Sequence, residues 1–361
     1  MPLHDVGYRG WHGEPRHGLA AGVIASTGIR LALKSAWLRR VMIFAWSPAV
    51  VFAGGFFAFE QAIDDMARGA WHSDPSRLDN LGLLGKLVAD SLGGRLDEPE
   101  VARRTVWSRL LLAFMRVPQT VLLAVIVGLV APKLIAGDLR AKAWLVYFSR
   151  PVSRFSYILG KVGVLAAIVC LVTLLPALAL WVLGVLVSPS AWVAVATWDL
   201  PIRILGASAA VTIPTVLLAL AFSSLTAETR IATFAWFATW VACWITHGAL
   251  TGADMAARDR PEARAVQSVF ADSPFDDGPP VVRPSSQLRR LGWLAQAAGI
   301  DQTTDRWAWL SLFHAQGVVQ SWIFGIEKRF AVVLPSLISL VTVAAGSLVV
   351  LFLRVDAPTR A

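Results

Sequence analysis

Two Gly-Lys pairs, Gly85-Lys86 and Gly160-Lys161, are the nearest approach in this chain to a phosphate loop. Such a loop ends Gly-Lys-Ser or Gly-Lys-Thr, because its backbone amides cradle phosphate while the hydroxyl binds magnesium. Here the pairs run on into Leu87 and Val162, so neither is a Walker loop. Nucleophilic catalysis needs Ser or Cys beside His, and carboxylate chemistry in a bilayer needs two acids there. His247 is the only histidine in an apolar run and has no acid in that run, which favours packing or an interfacial role. His4, His12 and His17 lie in a Gly- and Arg-rich stretch without His-Glu-x-x-His spacing, so zinc is not expected. Asp64-Asp65 and Asp276-Asp277 fall in polar loops, as solvated acids. Cys170 and Cys243 both fall in apolar runs, offering no disulfide framework and no metal spacing. The chain is therefore expected not to be an enzyme, with no cofactor of its own.

The charged stretch from Lys133 to Lys161 is more informative. It carries six Lys or Arg residues (Lys133, Arg140, Lys142, Arg150, Arg154 and Lys161) against the single acid Asp138. Membrane-length apolar runs flank it on both sides. By the positive-inside bias this connector faces the cytoplasm, where a soluble partner can reach it. An ordinary basic juxtamembrane loop that only fixes orientation is the alternative.

An acid and a base after the second span, an aromatic stretch with Tyr147, then Ser149-Arg150-Pro151-Val152-Ser153-Arg154 and Gly160-Lys161 together resemble the membrane subunit of type-2 (export) ATP-binding-cassette transporters. The resemblance implies a coupling helix in the 133–161 connector, docking on a separate ATPase subunit. Asp138, Arg140, Lys142, Tyr147, Arg150, Pro151 and Arg154 are then the coupling residues, with Gly160 and Lys161 at the start of span three. It further implies two permease halves, a second copy or a paralogue, and ATP and magnesium held on the partner ATPase. Membrane lipids are expected partners and nucleic acid is not.

Composition agrees with a membrane chain. Of 361 residues, 56% are hydrophobic and only 16% charged, with 16 Trp. A helix needs about 20 apolar residues to cross the hydrocarbon core. Val41–Phe59, Val162–Trp198, Ile204–Ala227, Ile231–Ala253 and Phe330–Leu353 reach that scale. Val117–Pro132 makes a sixth, extended to Ala136 if Lys133 snorkels. The expected fold is an all-α integral membrane protein with six transmembrane helices, an amphipathic N-terminal elbow helix and a large outer loop between spans five and six. The net charge of +9 is topological: Arg30, Lys34, Arg39 and Arg40 precede span one with no acid from Leu19 to Phe59. Some forty residues precede the first run, which is longer than a signal-peptide core, so it is expected to stay as an anchor.

The chain is thus divided into a cytosolic tail and interfacial helix (1–40), spans one to five (41–253), an extracytoplasmic, partly helical loop (254–328), and span six with a cytosolic C-terminus (329–361). Residues 60–100 hold nine acids and four bases and form the first outer loop. Residues 101–116 read as an outer amphipathic helix. Span three is expected from about Phe155 to Val187, kinked at Pro176, with Ser188-Pro189-Ser190 at its exit and Trp192 and Trp198 at the outer interface. Gln287–Ile300 and Asp305–Phe324 look helical, the latter placing Trp307, Leu310, Phe313, Val318 and Trp322 against the outer leaflet or the bundle. The expected setting is a bacterial cytoplasmic (inner) membrane, multi-pass, with both termini cytosolic. A non-transporting anchor or assembly factor is the rival function. A membrane-embedded enzyme would need a buried reactive constellation that the sequence does not present.

Overall fold

The computed structural model of the chain describes residues 20–67, 99–118, 122–143, 152–271 and 306–356, and the regular structure in them is helical. The helices are α1 (Ala20–Leu33), α2 (Ala36–Ala45), α3 (Ser47–Ala67), α4 (Pro99–Pro118), α5 (Ala124–Leu134), α6 (Ala136–Arg140), α7 (Arg154–Val187), α8 (Val193–Ala196), α9 (Asp199–Leu225), α10 (Thr229–Ala271), α11 (Leu312–Ile323) and α12 (Phe330–Asp356). Among the described residues, four segments are long and apolar enough to cross a membrane: Ala36–Gln61, Arg154–Val187, Asp199–Leu225 and Phe330–Val355. The other two expected spans are built differently. Val117–Pro132 is divided between the end of α4 and α5, since Pro118 cannot continue a helix hydrogen-bond ladder. Ile231–Ala253 lies inside α10, which runs on to Ala271 through an Ala- and Arg-rich sequence, both residue types being good helix formers.

α7 and α9 form the spine. Two apolar clusters are stacked along them. One gathers Leu38 and Met42 of α2, Val127 and Val130 of α5, Leu165 and Val172 of α7, Leu220 of α9 and Trp236 of α10. The other joins Phe56 and Phe59 of α3, Trp107 and Leu111 of α4, Leu180 of α7 and Ile204 of α9. The outward faces stay apolar: Ile43, Val50, Leu186, Phe234 and Leu353 are all exposed. Exposed apolar area on that scale requires a nonaqueous neighbour, which a bilayer supplies.

The expected amphipathic helix at 101–116 is present as a helix, but it is not a surface element. Every residue from Leu110 to Arg116 is buried, in contact with α3 and α7. α11 differs in the same way: Phe313 and Val318 are buried as expected, yet so are His314, Gln316 and Gln320, while Trp322 is exposed. α11 is enclosed by α9, α10 and α12. Some of its polar atoms are met there, while Gln316 Oε1 and Gln320 Oε1 are buried without a hydrogen-bond partner. Gln316 Nε2 donates to Thr215 Oγ1 at 2.9 Å, and His314 stacks on His247 with ring centroids 3.4 Å apart. The Arg116 guanidinium stands 4.6 Å from the centre of the Phe313 ring. The expected helix at Gln287–Ile300 lies outside the described residues.

Candidate coupling site

The connector begins where α5 meets a proline. Pro132 has no N–H to give Gly128, whose carbonyl instead lies 3.5 Å from Thr233 Oγ1 of α10. Beyond Leu134 the chain steps into α6, and Ser223 of α9 fastens the step. Its Oγ accepts from the Ala136 N–H at 3.0 Å and the Ile135 N–H at 3.3 Å, and donates to the Pro132 carbonyl at 3.2 Å. One hydroxyl thus satisfies backbone groups that the helix break would leave orphaned. Trp236 Nε1 donates to the Ala124 carbonyl at 2.8 Å, tying the other end of α5 to α10.

Asp138 sits in α6 and faces α7. Its Oδ2 is 2.7 Å from Lys161 Nζ and accepts from Tyr157 Oη at 2.8 Å. The lysine side chain is 9% exposed and the aspartate 19%, so the pair is largely out of solvent. Lys161 Nζ also lies 5.4 Å from the Tyr157 ring centre. Three side chains on two helices fix the angle at which α6 leaves the bundle. Arg140 contributes far less: it is 3.8 Å from Glu228, and both side chains are more than half exposed. Lys142, one residue before the end of this described stretch, takes a left-handed conformation, φ 51°.

On the far side of the connector, Ser153 caps α7, its Oγ accepting from the Ser156 N–H at 3.1 Å. Arg154 is therefore the first helical residue and is exposed. A cation at a helix N-terminus opposes the macrodipole by about 0.3–1 kcal/mol. Gly160 and Lys161 do not start this helix; they occupy its second turn. Gly160 is there because α1 crosses at that point: a Cβ would lie 2.7 Å from Ile24 Cγ2 and 3.1 Å from the Ala21 carbonyl. Gly28 of α1 is in the same relation to Val164.

Of the coupling residues expected from sequence, Asp138, Arg140, Lys142 and Arg154 border the same end of the bundle, with Lys161 joined to Asp138. Tyr147, Arg150 and Pro151 lie outside the described residues. Tyr157 and Ser223 were not singled out. Tyr157 was legible in principle, being one helical turn from Lys161 on the same face. Ser223 was not, because nothing local marks a serine in an apolar span as a cap for another helix.

At the opposite end, Glu60 of α3 and Arg103 of α4 form a bidentate pair with contacts of 2.9 and 2.8 Å, and Trp107 Nε1 donates to Glu60 at 3.1 Å. Asp199 holds Arg104 at 2.7 Å and Arg203 at 2.8 Å. These pairs lock helix ends together.

A helical bundle with apolar outer faces and spans of membrane length is a multi-pass membrane protein. The model of the ABC-2 family transporter proteins matches residues 30–357, nearly the whole chain, and the chain belongs to that family. It is an ABC-2 type permease. Comparison with curated proteins gives no match.

Proposed function

We propose that the chain is the membrane-spanning permease subunit of an ATP-binding-cassette exporter, working with a separate ATPase through the 133–161 connector. Six passages complete the membrane domain, with α4 and α5 together making the second and α10 the fifth, and both termini on the cytosolic side. Two permeases, identical or paralogous, pair with two ATPases that carry ATP and magnesium. Nucleotide-driven closure moves the connector, and the connector moves α5 and α7.

The observation that carries this reading is the clamp of Asp138 on Lys161 and Tyr157. It makes the two helices bordering the connector one mechanical unit, while Arg154 stands exposed at the edge of that unit. A loop that only fixed orientation would need its charges and not this clamp. The favoured docking partner for Arg154 is an acidic groove. Affinity isolation of the native complex tests the reading. An ATPase subunit should accompany the wild-type chain and dissociate on charge reversal at Arg154; an ATPase-free complex would favour an anchor or assembly role.

A further inference from the structure

At the C-terminal end of α5 two cavities lie side by side and share Leu129 and Lys133 in their walls. The larger, about 660 Å³, opens between α1, α2 and α5 and is walled by Val23, Ile24, Leu31, Leu38 and Leu134. The smaller, about 350 Å³, lies between α5 and α10 beside Pro132 and Phe234, with Arg230 on its wall. Both fall in the range of roughly 300–1,000 Å³ that small-molecule sites occupy. Their charges are not balanced. In the larger cavity Asp138 and Lys161 neutralise each other at 2.7 Å, which leaves Lys133 as the net charge. The smaller has Lys133 and Arg230 and no acid.

We propose that this double cavity binds an anionic diacyl phospholipid, with its phosphate between Lys133 and Arg230 and one acyl chain in each chamber. Two apolar chambers meeting at a shared cation match the shape and polarity of such a lipid. An acyl chain gains little by leaving bilayer hydrocarbon for an apolar wall, so selection rests on the headgroup charge. The site straddles α5, and its occupant would brace that helix against α1 on one side and α10 on the other. This is independent of which substrate the permease carries and of its ATPase.

The test is lipid retention by the purified full-length chain, read by native mass spectrometry after equilibration with phosphatidylglycerol or phosphatidylcholine. The wild type should retain phosphatidylglycerol preferentially, and Lys133→Gln and Arg230→Gln should each lower that retention about fivefold. Ala32→Trp, which fills the larger chamber, should lower retention of both lipids. Equal retention of the two lipids by the wild type, or unchanged retention in the Lys133→Gln, Arg230→Gln double variant, would overturn the proposal. A photoactivatable phosphatidylglycerol on the wild-type chain gives a reading that needs no variant. Its adducts should concentrate on α1, α5 and the start of α10, and adducts spread evenly around the apolar belt would contradict the site.

Discussion

Lys161 reaches from the second turn of α7 to the Asp138 carboxylate of α6, 2.7 Å away, across the whole length of the connector. Removing one partner of a buried pair leaves the other uncompensated and costs about 3–5 kcal/mol. Asp138 keeps some solvent contact, so Lys161→Met is expected toward the low end of that range. The Asp138→Asn, Lys161→Met double variant should recover part of it. Thermal unfolding in detergent measures both. By contrast Glu228→Gln, which removes the exposed partner of Arg140, should change stability by less than about 1 kcal/mol.

Gly317 of α11 is packed against the Arg116 guanidinium so closely that a Cβ would collide with it. Gly317→Ala should therefore destabilise the bundle by about 1–3 kcal/mol as an overpacked site. Combining it with Arg116→Met should be less than additive, because the flexible thioether can move aside. Strict additivity of the two unfolding shifts would show that they do not share a contact.

Glu327, between α11 and α12, is held below its ordinary carboxylate pKa by the hydrogen bond from the Arg329 side chain, with burial acting in the opposite direction. A depressed folded-state pKa contributes stability that is present above the unfolded value and lost as pH falls through the folded one. The wild type should thus lose a small increment of stability below about pH 4.5 that Glu327→Gln does not lose. Parallel unfolding curves for the two proteins across that acid range would refute the assignment.

The proposed orientation is checked by single cysteines at Lys142 and Trp192. An impermeant thiol reagent on intact cells should label position 192 and reach position 142 only after permeabilisation. Reversed access would invert the topology.

Much of the architecture was legible because long charge-free runs leave few alternatives: the expected limits of span three, Phe155 to Val187, nearly coincide with α7. What the runs could not show is which polar residues turn inward. Arg103, Arg116, Gln316 and Gln320 each look like surface residues in isolation, and each is buried by a partner from another helix. Residues 101–116 were therefore misplaced on the surface. Glu60 meets Arg103 from a different helix, and no local spacing announces that pairing. The connector was legible as a charged segment. The clamp of Asp138 on Lys161 and Tyr157 was not, since it depends on how α6 folds back on α7.

The central claim is that this connector couples an ATPase to the membrane helices, and the most direct measurement is ATPase association with the Arg150→Glu, Arg154→Glu double variant. The chain and its ATPase would be co-expressed, isolated through the permease, and assayed for bound ATPase and for transport-linked ATP turnover. The account predicts normal insertion and unfolding temperature, with association weakened by about 2–5 kcal/mol if the contact is buried in the interface. Full ATPase binding and unchanged turnover in a correctly inserted double variant would contradict it, and would leave the basic connector as a signal for orientation only.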